Sequence, residues 1–239
     1  MHIADLVRIA SELQQHLHAN LPPIGIAFRG EAPAGVPHAA AGPASCAYWK
    51  RAADGEVFWT DAADHQGCPI GAHTHGVQMS EAKKQELMGL VETMVQLGYI
   101  RMEEVPGIPH RRAPLRVAVY GPLSRMPCPP DLVLVRGTAS QLMVLVEAAQ
   151  AAGVSPDAPA MGRPTCAALP QALDSARPSV SLGCVGNRVY TGLAEGEGYV
   201  AVPAAAMEQV CGQLGKLSRA NAELEKFHRA RAASGSRTP

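Results

Sequence analysis

Two short stretches of this chain place a hydroxyl residue, a cysteine and an alanine in a row. Ser45-Cys46-Ala47 follows a loop rich in glycine, proline and alanine, and Thr165-Cys166-Ala167 follows a similar loop. After a strand-like segment, each is followed by a Gly-Cys pair, Gly67-Cys68 in the first case and Gly183-Cys184 in the second. Four of the six cysteines therefore occupy matched positions, which predicts an internal repeat.

The chemistry that such a repeat could support is metal binding. If two similar halves face each other across a pseudo-twofold axis, then Cys46, Cys68, Cys166 and Cys184 meet at one place. Four thiolates are the ligand set of a [4Fe–4S] cluster and also of tetrahedral Zn²⁺. Structural zinc sites usually draw their ligands from closely spaced pairs, which this sequence lacks, so the spacing favours the cluster. The sequence predicts a [4Fe–4S] cofactor, with Zn²⁺ as the alternative.

The residues beside the cysteines suit this interpretation. Ser45 and Thr165 are good N-cap residues, and the N-terminus of a helix favours thiolate over thiol. The glycines before Cys68 and Cys184 are expected to let backbone amides approach sulfur closely. The alternative for any one cysteine is a small buried apolar side chain. That is the interpretation we give to the two cysteines outside the repeat, Cys128 and Cys211.

The loop around Cys68 offers a competing chemistry. Three histidines, His65, His73 and His75, lie within eight residues of Cys68. They could complete a zinc site, or one of them could activate Cys68 as a nucleophile. We interpret His73 as an ordinary loop residue. His65 and His75 are the candidates for hydrogen-bond donors or proton carriers beside a metal.

Two arginines flank the cysteines of the second unit. Arg163 and Arg188 are candidates to hold an anionic ligand, and the alternative for each is a surface ion pair.

Composition excludes several classes of function. The chain has 239 residues, 21 basic and 21 acidic side chains, and 4% aromatic residues, which argues against a nucleic-acid partner. Residues 1–17 have helical amphipathic spacing rather than the continuous apolar run of a signal peptide, and no segment predicts a membrane span. We therefore expect a cytoplasmic protein whose thiols stay reduced.

The pattern of strands and helices predicts an α/β (α+β) fold. We expect one domain, residues 1–239, built from two repeat-like halves of pseudo-symmetric α/β structure with short strands, at about 1–100 and 115–202. The N-terminal helix and a C-terminal helix over 203–231 flank these halves. Residues 188–191 are expected to form a strand, and residues 64–76 a loop.

The motifs resemble those of the DUF169 family of bacterial and archaeal proteins. The resemblance rests on SCAYWKRAADG, DHQGCPIG, GRPTCAALPQAL and SVSLGCVGNR, and it covers the chain from the first helix to about Val202. It implies the two cysteine-bearing units and a cytosolic prokaryotic setting, and it supplies no substrate.

From the residues themselves we expect an iron–sulfur protein. Its role would be electron transfer with a redox partner or, if one iron stays open, action on a small molecule. The alternatives are a zinc protein and an enzyme that uses Cys68 with a histidine. The apolar stripe of the last helix predicts core packing, and a homodimer contact is its alternative.

Overall fold

The computed structural model describes residues 2–156 and 164–235, and within them the chain has the α+β fold that the sequence predicts. The strands are β1 Ile24–Arg29, β2 Phe58–Asp61, β3 Val117–Pro122, β4 Leu132–Thr138, β5 Ser179–Ser181 and β6 Glu197–Pro203. The helices are α1 Leu6–Leu17, α2 Ala47–Ala53, α3 Pro69–Thr74, α4 Glu81–Gln96, α5 Ala139–Ala151, α6 Ala168–Ser175, α7 Val185–Thr191 and α8 Met207–Gly235. Short 3-10 turns occupy Ile3–Asp5, Ala63–His65, Met102–Gly107, Leu123–Arg125, Thr165–Ala167 and Ala204–Ala206.

All six strands form one sheet in the order β2-β3-β1-β4-β6-β5. Every neighbouring pair is antiparallel. The order is symmetric about its centre: from one edge the strands run β2, β3, β1, and from the other edge they run β5, β6, β4, which is the same order when β1, β2 and β3 are matched to β4, β5 and β6. The two halves of the chain thus meet where β1 pairs with β4.

The strand register repeats as well. Ile24 pairs with Pro122 at one end of the β1–β3 pair, and Leu132 pairs with Pro203 at the same end of the β4–β6 pair. Each of these prolines ends its strand and precedes a 3-10 turn.

The contact between the halves has matching symmetry. Ile24 pairs with Leu134, and Ile26 pairs with Leu132. The register therefore places an approximate twofold axis at the middle of the β1–β4 pairing. This is the topology that two repeat-like halves would produce; the boundaries given above for those halves stay a prediction.

Successive side chains along the strands point to opposite faces of the sheet, and both faces are buried. In β4, Leu132 and Leu134 point to one face, and Val133 and Val135 point to the other. The second face packs against α1, α5 and α8. The first face packs against α2 and α6, and its core includes Cys46 and Cys166. The cysteines therefore lie on the face of the sheet away from the long terminal helices.

Two sequence predictions about local structure are wrong. Residues 188–191 belong to α7 instead of a strand, because Cys184 accepts a hydrogen bond at the N-cap and Gly192 ends the helix with φ +62°. The β propensity of Val189 and Thr191 is overridden by these ends. Residues 64–76, predicted as a loop, contain α3, which Pro69 begins at its first position.

Local sequence signals mark the beginnings of three helices. Ser80 caps α4 and Thr138 caps α5, and in each case the hydroxyl accepts a hydrogen bond from the backbone three residues on. The last helix begins at Met207, after Pro203 has ended β6. No helix in the described ranges is both long and apolar enough to cross a membrane.

Candidate metal centre

Each of the four matched cysteines lies at the beginning of a short helix. Cys46, Cys68 and Cys184 directly precede α2, α3 and α7, and Cys166 lies in the 3-10 turn that leads into α6. The first turn of a helix has backbone N–H groups without intrahelical partners. One of them is used here, because the Asn187 N–H donates a hydrogen bond of 3.4 Å to the Cys184 Sγ.

The fold brings these four cysteines to one cavity. All of them line a cavity of about 850 Å³ on the first face of the sheet. Cys46 and Cys166 are buried, whereas Cys68 and Cys184 are partly exposed. The thiol of Cys166 is close enough to the other three for their charges to affect its pKa. Cys128 and Cys211 are not among the residues that line this cavity.

The spacing of the sulfur atoms can be compared with the ligand geometry of a zinc ion. Within the described ranges, no three cysteine sulfurs lie within 4.8 Å of one another. Thiolates bound to one Zn²⁺ at ~2.3 Å lie ~3.8 Å apart in a tetrahedron, so no three of the described cysteine sulfurs are already placed as the ligands of one zinc ion. The iron atoms of a [4Fe–4S] cluster are separate centres that each bind one thiolate, and their ligands stand farther apart.

The hydroxyl residues before the cysteines do not cap helices, contrary to the sequence prediction. Neither α2 nor the 3-10 turn over Thr165–Ala167 has a side-chain cap. Instead, Ser45 Oγ forms a hydrogen bond of 2.9 Å with His65 Nδ1, and the Cys184 N–H donates to Thr165 Oγ1. In both halves the hydroxyl thus ties the first cysteine segment to the second.

The two glycines of the Gly-Cys pairs have different structural roles. A Cβ on Gly67 would lie 2.7 Å from the Pro43 carbonyl oxygen, so glycine allows the two cysteine segments of the first half to touch. Gly183 has φ +85°, a conformation that side chains rarely adopt. The expected approach of amides to sulfur is seen at Asn187 rather than at the glycines themselves.

Burial keeps the innermost thiols protonated in the absence of a cation. Burial raises the pKa of Cys46 to about 12, against a smaller opposing effect of the neighbouring Asn187 amide. Burial likewise raises the pKa of Cys166, beside the Thr74 hydroxyl. A bound cation would lower the pKa of these thiols, because metal ligation favours the thiolate.

The two candidate histidines lie in the core and do not line the cavity. His65 Nε2 forms a hydrogen bond of 2.8 Å with Thr60 Oγ1, and its other nitrogen contacts Ser45. His75 Nδ1 contacts the Gly71 carbonyl at 2.9 Å, and its Nε2 has no hydrogen-bond partner among the described residues. Burial lowers the pKa of His65 well below its usual value and that of His75 to about 4, so both rings are neutral near pH 7.

The histidine that does line the cavity is His73, which the sequence interpretation treated as an ordinary loop residue. Burial lowers its pKa, and the His110 ring packs on it with centroids 4.8 Å apart. No hydrogen bond within the described ranges joins a histidine to a cysteine thiol. The arrangement therefore gives the Cys68–histidine enzyme less support than the four-cysteine site.

Of the two candidate arginines, Arg163 lies outside the described residues. Arg188 is held by the protein itself: its guanidinium donates to the carbonyl oxygens of Leu182, Leu193, Ala194 and Glu197. It does not line the cavity and serves to fix the loops around α7.

A separate group of potential ligands lies at the edge of the sheet. Atoms of His38, Asp61 and Asp64 lie within 4.8 Å of one another. His38 Nε2 contacts Asp64 Oδ2 at 2.7 Å and its ring stacks on Trp59, while the Asp61 N–H donates to the same Asp64 oxygen. These contacts hold the 29–45 loop against β2, which explains why the three side chains lie together.

Sequence reasoning missed the second wall of the cavity. It comprises apolar side chains of α4 and of the segment after it, Leu87, Met88, Leu90, Val91, Met94, Ile100, Val105, Ile108 and Pro109. It also missed Asn187, which is 2% exposed and lines the cavity beside the Cys46 thiol. The sequence of α4 shows which of its side chains are apolar, but not what those side chains cover.

Comparison with known proteins adds one result. The model of the DUF169 family, described as "Uncharacterised ArCR", matches residues 12–213 of the chain. This match covers most of the sequence and includes all four matched cysteines. The chain therefore belongs to the DUF169 family. Neither a curated protein nor a solved structure matches it.

Proposed function

We propose that this protein binds one [4Fe–4S] cluster through Cys46, Cys68, Cys166 and Cys184. The observation that carries the proposal is that all four line one cavity although they come from four separated segments. The lack of three cysteine sulfurs within 4.8 Å of one another, among the described residues, supports a larger cofactor over a single zinc ion. Zinc is the alternative that the experiments must exclude.

The surroundings support a cluster in two further ways. The sulfurs lie at helix beginnings, where backbone N–H groups offset the negative charge of four thiolates. The N–H···S contact at Cys184 is of the kind that tunes the potential of a cluster.

For the role of the cluster we propose redox chemistry or action on a small molecule rather than structural support. The core on both faces of the sheet is extensive, so a fold of this size does not depend on a metal for stability. The cavity beside the cysteines supports a small-molecule role. We propose a reducing, cytoplasmic setting, which the six free thiols support.

Serine variants test the proposal. Cys→Ser at position 46, 68, 166 or 184 should each lower the iron content of anaerobically purified protein, since each removes a ligand. Cys128→Ser and Cys211→Ser are matched controls and should keep the parent's iron content. If only the Cys68 variant loses function and Cys166→Ser and Cys184→Ser keep parental iron and activity, then the cysteine-dependent enzyme is the better account. Stoichiometric zinc in colourless parent protein would decide for the zinc site.

A further inference from the structure

We propose that residues 77–114 form a ligand-binding module that holds an apolar group of a small molecule beside the four cysteines. The inference rests on the proposed function only for what the ligand meets at the cysteine end. Three features carry it: the module is an insertion relative to the second half of the chain, it joins the core at one place, and its apolar side chains are accessible in the cavity.

The module is an insertion relative to the second half. Cys68 directly precedes α3 and Cys184 directly precedes α7, so these two helices occupy matched positions. After α7 ends at Gly192, β6 begins at Glu197. After α3, by contrast, α4 and the 3-10 turn Met102–Gly107 come before β3. The module is therefore additional to the matched segments that carry the cysteines.

The module leaves the core and returns to it at one place. The Arg111 N–H donates a hydrogen bond of 3.0 Å to the Thr74 carbonyl, and the Leu115 N–H donates one of 3.1 Å to the Gly76 carbonyl. Gly76 has φ +71°, and a Cβ there would lie 2.8 Å from the carbonyl oxygens of Arg111 and Ala113. The two ends of the module are thus in direct backbone contact, so a short linker can replace the module without moving either end.

The apolar side chains of the module line the cavity instead of forming a core of their own. In α4, Val91 is the one buried residue. Met88 and Leu90 line the cavity and are 44% and 39% exposed, and Tyr99, which follows the helix, lines it and is 42% exposed. A surface helix normally packs its apolar side chains against the protein. Apolar side chains that are accessible and also form a cavity wall indicate a binding site.

The α7 side of the cavity adds accessible apolar surface. Val185 is 73% exposed and Tyr190 is 38% exposed, and both line the same space of about 850 Å³. This volume is within the usual range of small-molecule sites. Cys68 and Cys184, both partly exposed, line it too, so a molecule held there reaches the cysteines. The part of a ligand that the module binds is an apolar group, because its burial removes the apolar surface of both partners from water.

A series of alcohols that share one head group tests the proposal. In displacement of the fluorescent dye Nile red from anaerobically purified protein, affinity should rise from butanol to hexanol to octanol by about fourfold for each added CH₂. Leu90→Glu should weaken octanol binding on the order of tenfold, because it places a carboxylate in the apolar wall. The matched control is Leu97→Glu, which changes an apolar residue of the same module that is 78% exposed and outside the cavity lining. This control should keep the parent's affinity.

Removal of the module is the second test. A variant in which two glycines replace residues 78–113 should weaken octanol binding on the order of tenfold or more, because it lacks the apolar wall. It should keep the parent's iron content, since the four cysteines lie outside the module. Circular dichroism establishes that the variant is folded, and Leu90→Glu decides the question if it is not.

Three results would overturn the proposal: equal affinity of the parent for butanol and octanol, parental octanol affinity in Leu90→Glu, or loss of iron but not of octanol binding when the module is removed from a protein that stays folded. Iron and sulfide are measured on the same samples, so that the two proposals fail separately. Full iron content in a parent that does not distinguish the alcohols refutes the module alone. The expected alcohol binding in parent protein without iron refutes the cluster alone.

Discussion

Gly67→Ala should both destabilise the protein and lower its iron content. The new Cβ would lie 2.7 Å from the Pro43 carbonyl oxygen and 2.8 Å from the Pro43 carbonyl carbon. These are backbone atoms of the segment that carries Cys46, so no side-chain rotation can relieve the contact. The Gly42 carbonyl oxygen lies closer still. An ordinary contact begins at 3.4 Å, so the segments of Cys46 and Cys68 must separate by at least about 0.7 Å. Ligand constellations have to be held within about 0.5 Å.

The expected size of the effect follows from this overlap. Overpacking of this kind costs about 1–3 kcal/mol of unfolding free energy. For a domain of 150–250 residues, each kcal/mol changes the melting temperature by about 2–4 °C, which gives a fall of about 2–12 °C. Thermal unfolding followed by circular dichroism measures the stability, and iron per chain after anaerobic purification measures the site.

Gly89→Ala is the matched control, because a Cβ there meets no described atom within 4 Å and lies on the surface of α4. Alanine is a better helix former by about 1 kcal/mol, so this variant should be slightly more stable than the parent and keep its iron. Unchanged melting temperature and iron in Gly67→Ala would refute the claim that the contact between the two segments positions Cys46 and Cys68.

The remaining predictions concern pH and backbone strain. Because burial lowers the pKa of His75 to about 4, the unfolded chain binds more protons than the folded chain below pH 6.5, and the free energy of unfolding should fall from pH 6.5 towards 4 by up to about 1.4 kcal/mol per pH unit. In denaturant unfolding, His75→Gln should make the free energy of unfolding less dependent on pH in this range. The control His228→Gln, on the exposed end of α8, should leave the pH dependence as it is in the parent. Because burial raises the pKa of Cys46 to about 12, metal loading should release protons and tighten as pH rises, and a pH-independent affinity would count against ligation by that thiol. Gly183→Ala should cost about 1–2 kcal/mol, since it forces a side chain into φ +85°, and a parental melting temperature would contradict this.

The cysteine pattern predicted that the four cysteine segments approach one another, and all four cysteines line one cavity. Local sequence is sufficient to explain the caps of α4 and α5, since Ser80 and Thr138 accept hydrogen bonds from neighbours three residues away. The strand order was not readable from local patterns. It depends on the pairing of β1 with β4, which are more than a hundred residues apart.

The errors have a common physical cause. Ser45 and Thr165 carry strong local capping signals, yet tertiary hydrogen bonds to His65 and to the Cys184 backbone take their hydroxyls. In the same way, the sequence offers Arg188 as a ligand-binding residue, but in the fold its guanidinium donates hydrogen bonds to carbonyl oxygens around α7. A side chain's local preference is thus a poor guide where the fold offers a stronger partner.

The wall formed by α4 and the role of Asn187 were not predictable for a different reason. The helix pattern shows which side chains of α4 are apolar, but the space that they face exists only once the two halves have assembled. Asn187 stands out only because its side chain lies beside the Cys46 thiol, which is a property of the finished structure.

The most direct test of the central claim is the determination of iron and acid-labile sulfide in protein purified without oxygen, together with its visible spectrum. The account predicts a brown protein with about four iron and four sulfide per chain, whose colour bleaches on reduction. Colourless protein without sulfide, whether it carries zinc or no metal at all, would contradict it.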